Sequence, residues 1–324
     1  MSGVDYVIKR TGAALLTVFI AITLNFVLFR AVPGNAVTGL RCLHCTKQFK
    51  ASLERELGLK EPLWRQYGIY LVNLSQGDLG TSFVDRRSVW ENLKRPILNT
   101  LPMLAMGTVI SIAVGVFAGV FSAWRRGTKS DRINTWAALS FYAMPTQWIG
   151  LLVVFYVALE FGFPVAGIRT PTLGILGEPS TWTVVVDRLK HMALPALTLG
   201  IGLYGEYALI VRSSMLETLG EDYVLTARAK GLKNLEIVWR HGLRNAMLPL
   251  VTLIALSFGY ILAGAIVIEE VFSYPGIGLA VIDAIDRRDY PVLQGAFLLL
   301  TLAVIFFNLV ADLLYSRLDP RISA

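Results

Sequence analysis

Glu206 is a carboxylate set inside an apolar run, residues 192–211, with Tyr204 and Tyr207 beside it. An ionisable group in such a run lines a polar path or pairs with another charge. Both readings are open, with Arg212 the nearest basic residue along the chain. Gln147 and Trp148 follow Pro145 in a second apolar run. Proline bends a helix, so these two side chains are candidates for a translocation path, against plain helix packing. Asn25 and Asn308 read as hydrogen-bond partners between helices. Cys42, His44 and Cys45 form a third cluster. A local Cys42–Cys45 disulfide is the simplest reading in an oxidising compartment. A free pair is the next. A metal site lacks a fourth local ligand, and no metal is assigned.

Some chemistry is missing. No G-x-x-x-x-G-K-[ST] run occurs. The nearest stretch reads Arg126-Gly127-Thr128-Lys129, without the adjacent Gly-Lys. Backbone amides wrapped around phosphates with a lysine at their end are what hold ATP in that way. No convergent polar cluster in the apolar runs suggests an enzyme, and His191 and His241 fall at opposite ends of the bilayer in the topology below.

Asp222 to Pro249, DYVLTARAKGLKNLEIVWRHGLRNAMLP, is about as charged as a soluble surface yet lies between two apolar runs. Asp222 or Thr226 can start a short helix, and Gly231 permits a positive-φ stop. Asn234 then caps a second helix. Ala227 and Ala229 are small, which allows close backbone approach, and Arg228 and Lys230 supply charges at a rim.

These elements must be carried by a membrane fold. Only 16% of the 324 residues are charged and 55% are hydrophobic, with mean hydropathy +0.58. A soluble domain averages about 25% charged residues. Six runs are long enough to span a bilayer: Val7–Phe29, Leu101–Trp124, Ile133–Leu159, Met192–Val211, Met247–Ile268 and Val292–Tyr315. The first is too long for a cleaved leader and no A-x-A-like site follows it, so it reads as a retained helix. The net charge of +7 gathers at run ends and loops, which suits a membrane surface and not nucleic acid. With the N-terminus inside, Lys9, Arg10, Arg125, Arg126, Lys129, Arg132, the 212–246 loop and Arg317 fall inside. The short outer loops hold far fewer basic residues. Both termini are therefore expected in the cytoplasm. The 30–99 loop is expected outside and partly helical. Phe49, Leu53 and Leu57 recur before Gly58, and Pro62 opens a stripe of Leu63, Tyr67, Tyr70, Leu71 and Leu74.

The 222–249 stretch closely resembles the cytoplasmic coupling loop of the membrane subunits of ABC importers in the dipeptide/oligopeptide/nickel permease family. The matching residues are Asp222-Tyr223, Thr226 to Leu232, His241 to Ala246 and Pro249. The broader importer pattern has Glu-Ala-Ala where this chain has Leu225-Thr226-Ala227, and its terminal proline stands earlier than Pro249. The peptide-permease branch shares both departures. Further landmarks of B-type subunits are Pro33-Gly34-Asn35, Leu57-Gly58-Leu59, Gly77 to Ser82, Glu269 to Gly278 (EEVFSYPGIG) and Leu318-Asp319-Pro320-Arg321. The resemblance runs nearly end to end and implies one domain, 1–324, of six transmembrane helices: an all-α, type I importer membrane domain.

It implies a non-catalytic permease subunit in a bacterial inner or plasma membrane that moves dipeptides or oligopeptides inward. Nickel, glutathione and haem importers use similar subunits. It implies a second, C-type permease, two ABC ATPases holding the ATP and Mg, and an extracytoplasmic binding protein, with membrane lipid around them. No cofactor is expected on this chain. Asp222, Tyr223, Thr226, Ala227, Arg228, Ala229, Lys230 and Gly231 are the implied coupling residues. The EEVFSYPGIG turn then reads either as an outer gate or docking element or as a structural turn. An ion-coupled secondary transporter using Glu206 is a distant alternative. It lacks an inverted repeat and has no second acid in the spans except Asp312 near the end.

Overall fold

The computed structural model describes residues 3–31, 61–175, 178–247, 250, 254 and 266–318. Among them there is no strand, only an isolated bridge between Thr81 and Ser88. The helices in chain order are α1 (Gly3–Ala31), α2 (Leu63–Ser75), α3 (Val89–Trp124) and α4 (Lys129–Ala143). Then follow α5 (Thr146–Phe161) and α6 (Thr181–Thr218). The short α7 (Asp222–Ala229) leads to α8 (residues 234–247). Last come α9 (Ile277–Arg287) and α10 (Tyr290–Leu318). Four helices (α1, α3, α6 and α10) are long and apolar enough to cross a membrane, or five if α4 and α5 make one bent span. The run Met247–Ile268 lies mostly outside the described residues, as do Cys42, His44, Cys45 and the Phe49–Leu57 stripe.

The run Ile133–Leu159 bends at Pro145, as proline chemistry suggests, sharply enough to divide it into two helices. It breaks between Ala143 and Thr146, where α4 and α5 meet at 108°. Pro145 causes the break: its missing N–H and fixed φ end a helix and start the next, and it stands as the N-cap of α5 with φ −55°. The runs Leu101–Trp124 and Met192–Val211 are only the apolar parts of longer helices. α3 begins 12 residues earlier, at Val89, and α6 begins at Thr181, where Ser180 accepts from Thr183 N–H.

The described residues fall into two compact units, one within 1–100 and 275–309 and the other within 101–274 and 310–324. In the first, Val89, Leu93, Val281, Ala284, Leu293 and Ala296 form the core. Tyr67 and Tyr70 of α2 stack on Phe26 of α1, with ring centroids 5.1 and 5.5 Å apart. Thr23 and Tyr67 share a 2.6 Å hydrogen bond. The expected stripe therefore packs, except Leu63, which is 63% exposed. The Gly77–Ser82 run docks through its last residue: Ser82 Oγ donates to Asp289 at 2.5 Å, and Phe83 N–H donates to the same carboxylate at 3.1 Å. Asp289 stands immediately before α10 and is buried.

In the second unit α6 is the axis. Its neighbours approach it through glycines, as helices in lipid commonly do. A Cβ at Gly115 of α3 would stand 2.5 Å from Tyr207 Cβ, and one at Gly119 2.7 Å from Ala208 O. On the other side Gly205 of α6 leaves room for the Ala138 carbonyl of α4. Tyr207, Val211 and Met215 are fully buried there with Val120, Ala123 and Val238.

Candidate functional site

The helix expected in the 222–249 stretch begins at Asp222 and ends at Ala229. Thr226 is inside it, its hydroxyl donating back to Asp222 O at 3.1 Å. The stop is a Schellman motif. Gly231 has φ +78°, its N–H donates to Arg228 O at 2.9 Å, and Leu232 N–H donates to Ala227 O at 3.3 Å. This pair of bonds satisfies the last carbonyls of a helix, and an apolar contact usually accompanies it. Here Leu232 packs against the cluster of Val224, Ala227 and Ile237.

Position 224 is completely buried and Ala227 is 6% exposed, so this face of α7 rests on its own chain. Ala227 is thus turned inward, against Val224 and Ile237 of its own chain. Tyr223, Leu225, Thr226, Arg228, Ala229 and Lys230 are exposed, as are Asp222 and Gly231. Two parts of the motif meet: Asn245 Nδ2 donates to Tyr223 Oη at 2.7 Å. One correction concerns Asn234. Lys233 occupies the N-cap of α8 and Asn234 is the first helical residue, with no side-chain cap. Arg126 and Arg228 enter one cleft of about 490 Å³ whose walls include Trp124, Leu219, Asn234 and Val238.

Glu206 does not pair with Arg212. The Arg212 guanidinium is bidentate on Asp131, with Nε to Oδ1 at 2.8 Å and the NH2-group nitrogen to Oδ2 at 3.0 Å. Asp131 is 3% exposed and also accepts from Gly127 N–H at 2.9 Å and Thr135 Oγ1 at 3.3 Å. Nothing in the sequence singled Asp131 out, because its partner lies 81 residues away. Among the described residues the Glu206 carboxylate has no hydrogen-bond or ion-pair partner. It is half-buried, one helical turn from Gly202, which faces Thr146 and Ile149 of α5. Gln147 and Trp148 are exposed beside that contact, Trp148 at 62%. The three path candidates therefore come from the α5 start and the facing stretch of α6. Asn25 Nδ2 donates to Gln294 O at 3.4 Å, the inter-helix bond expected of it.

In the EEVFSYPGIG turn, Ser273 takes a left-handed φ of +43° and Phe272 and Tyr274 are buried. Burial first, then the charge of Glu269, push the Tyr274 phenol up to about 12, against an opposing pull from Arg188. In the first unit, Asn99 Nδ2 donates to Pro275 O at 2.8 Å and Ile277 N–H to Thr100 Oγ1 at 2.9 Å. These bonds fix where α9 begins.

Comparison with known proteins agrees with this architecture. Residues 115–324 match the binding-protein-dependent transport system inner membrane component family, and residues 3–104 match its N-terminal companion. The dipeptide transport system permease protein DppB of Escherichia coli (strain K12) is 39% identical over 98% of both chains. The di/tripeptide transport system permease protein DppB of Pseudomonas aeruginosa (strain UCBPP-PA14) is also 39% identical over 98% of both. The glutathione transport system permease protein GsiC of Escherichia coli (strain K12) is 36% identical at the same coverage. The chain belongs to the family of binding-protein-dependent transport system inner membrane components, the permease subunits of ABC importers. It is an all-α, multi-pass inner-membrane protein, a permease subunit.

Proposed function

We propose that this chain carries dipeptides and short oligopeptides into the cytoplasm, as one of two permeases in an importer. The observation that carries the cargo reading is its 39% identity, end to end, with two peptide permeases. The 36% identity to a glutathione permease supports glutathione, itself a short peptide, as the second reading. The remaining parts are a C-type permease, two ATPases that bind ATP and Mg, and an extracytoplasmic binding protein. Six spans, with Met247–Ile268 as the fifth, put both termini and α7 on the cytoplasmic side. Basic residues there outnumber those outside, in line with the usual charge bias.

The mechanism follows from α7. Its inner face, Val224 and Ala227, is fixed to its own chain, and its outer face, with Leu225, Arg228, Ala229 and Lys230 exposed, seats in an ATPase cleft. The binding protein delivers cargo to the outer side while ATP closes the ATPases. α7 then moves with them and the path opens outward; hydrolysis resets it inward. Glu206, Gln147 and Trp148 are the residues assigned to the path.

The test is purification of the complex from its native membrane, followed by reconstitution with the binding protein. The expected result is co-purification of a second permease and ATPases, with vanadate-sensitive uptake of a labelled dipeptide. Uptake of glutathione but not of dipeptides would establish the second reading. A chain that purifies alone, without ATPase activity, would contradict both.

A further inference from the structure

We propose that Asp131 and Arg212 are positioning residues for coupling: their ion pair makes α4 and α6 move as one body, so that displacement of α7 reaches the α4–α5 break. This rests on the importer reading of α7. Three observations carry it.

The first is continuity between α7 and α6. Leu219, Gly220 and Glu221 are the only residues between the two helices. Backbone bonds tie the linker to both helices: Gly220 N–H donates to Glu217 O (3.0 Å) and Glu221 N–H to Thr218 O (3.3 Å), and Glu221 O accepts from Val224 N–H (3.0 Å). A push on α7 is therefore delivered to the end of α6 at Thr218, six residues beyond Arg212.

The second is register. Asp131 meets Arg212, and Ala138 meets Gly205. Both steps are seven residues, two helical turns, in opposite chain directions, so α4 and α6 lie antiparallel in one fixed alignment. The same alignment continues through Phe141 and Tyr204, with ring centroids 5.8 Å apart, to Thr146 and Ile149 against Gly202. It ends at the break, beside the path residues.

The third is the kind of contact. At Ala138 and Gly205 the helices touch through a carbonyl and a glycine, which resists compression but not sliding. The ion pair is directional, because a guanidinium fork fits a carboxylate in one plane. Asp131 is also bound to Gly127 N–H, and its own N–H donates to Thr128 Oγ1. The clamp thus holds the α3–α4 turn as well as α4. Desolvating such a pair contributes little net stability, which leaves room for a positional role.

The experiment places one cysteine at Ala143, the exposed last residue of α4, with Cys42 and Cys45, the chain's two native cysteines, changed to serine. The whole complex with its ATPases is labelled with a maleimide, nucleotide-free and after trapping with ATP and vanadate; no cargo is needed. With the pair intact, the labelling rate should change about tenfold on trapping, the size of a typical coupling between linked sites. In Asp131→Asn and in Arg212→Lys the complex should still trap nucleotide, and the change should vanish. A change of normal size in either variant would overturn the proposal. So would loss of assembly in both variants, since the pair would then be a folding requirement. So would an intact complex that traps nucleotide without any change at position 143. If the intact chain brings no nucleotide-trapping ATPase with it, the importer reading itself fails.

Discussion

The α7 element and the α4–α6 contact are both built on glycine, but they use it for opposite purposes. At Gly231 no atom lies within 4 Å of the place a Cβ would take, and the residue is needed for its φ of +78°. At Gly205 the backbone is ordinary helix, and the residue is needed because the Ala138 carbonyl occupies the space of a Cβ. One glycine shapes a surface for a partner and the other lets two spans touch. A side chain at the first should harm coupling more than stability. At the second it should harm stability first.

The largest effect is expected from Gly205→Leu. Overpacking costs about 1–3 kcal/mol and sometimes more, and here the clash is with backbone that has no rotamer to change. The complex should melt well below the native one or fail to assemble, as read by size-exclusion after heating. Gly231→Val comes next. A left-handed φ costs a branched residue about 1–2 kcal/mol, at an exposed site where the strain is local. Assembly should be normal, with ATP hydrolysis retained and cargo uptake largely lost. Normal uptake in Gly231→Val would break the contrast between the two glycines. Tyr223→Phe removes the acceptor of the 2.7 Å bond from Asn245. It should cost about 1 kcal/mol, seen as a small fall in melting temperature with uptake reduced but present. Thr226→Ala is the smallest. Its hydroxyl bonds only to the preceding turn, and surface changes of that kind stay within about 0.5 kcal/mol. Melting should match the parent.

The same contrast explains what could be read from the sequence. α7 was legible because its determinants are local: an acidic first turn, a glycine stop two residues past the last helical one, and an apolar residue to close the motif. Which face of it turns inward was not legible at Ala227, because a small residue in a short helix looks the same whether it meets a partner or its own chain. Asn234 was misplaced by one position at a helix start, where Lys233 has the capping geometry without a capping side chain. The Pro145 break was legible from proline chemistry, but its 108° angle was not. Asp131 and Asp289 escaped notice because each is defined by a partner far along the chain, Arg212 and the Ser82–Phe83 step. The charge of Arg212 suggested a partner, and Glu206, six residues before it on the same helix, was the wrong one.

The central claim is that α7 meets the ATPases through its outer face, and crosslinking tests it most directly. Single cysteines at Leu225, 57% exposed, and Val224, completely buried, would be treated with a short bifunctional thiol reagent in membranes containing the whole complex. The account predicts a crosslink to an ATPase from Leu225→Cys and none from Val224→Cys. No crosslink from Leu225→Cys, or equal crosslinking from both positions, would contradict it.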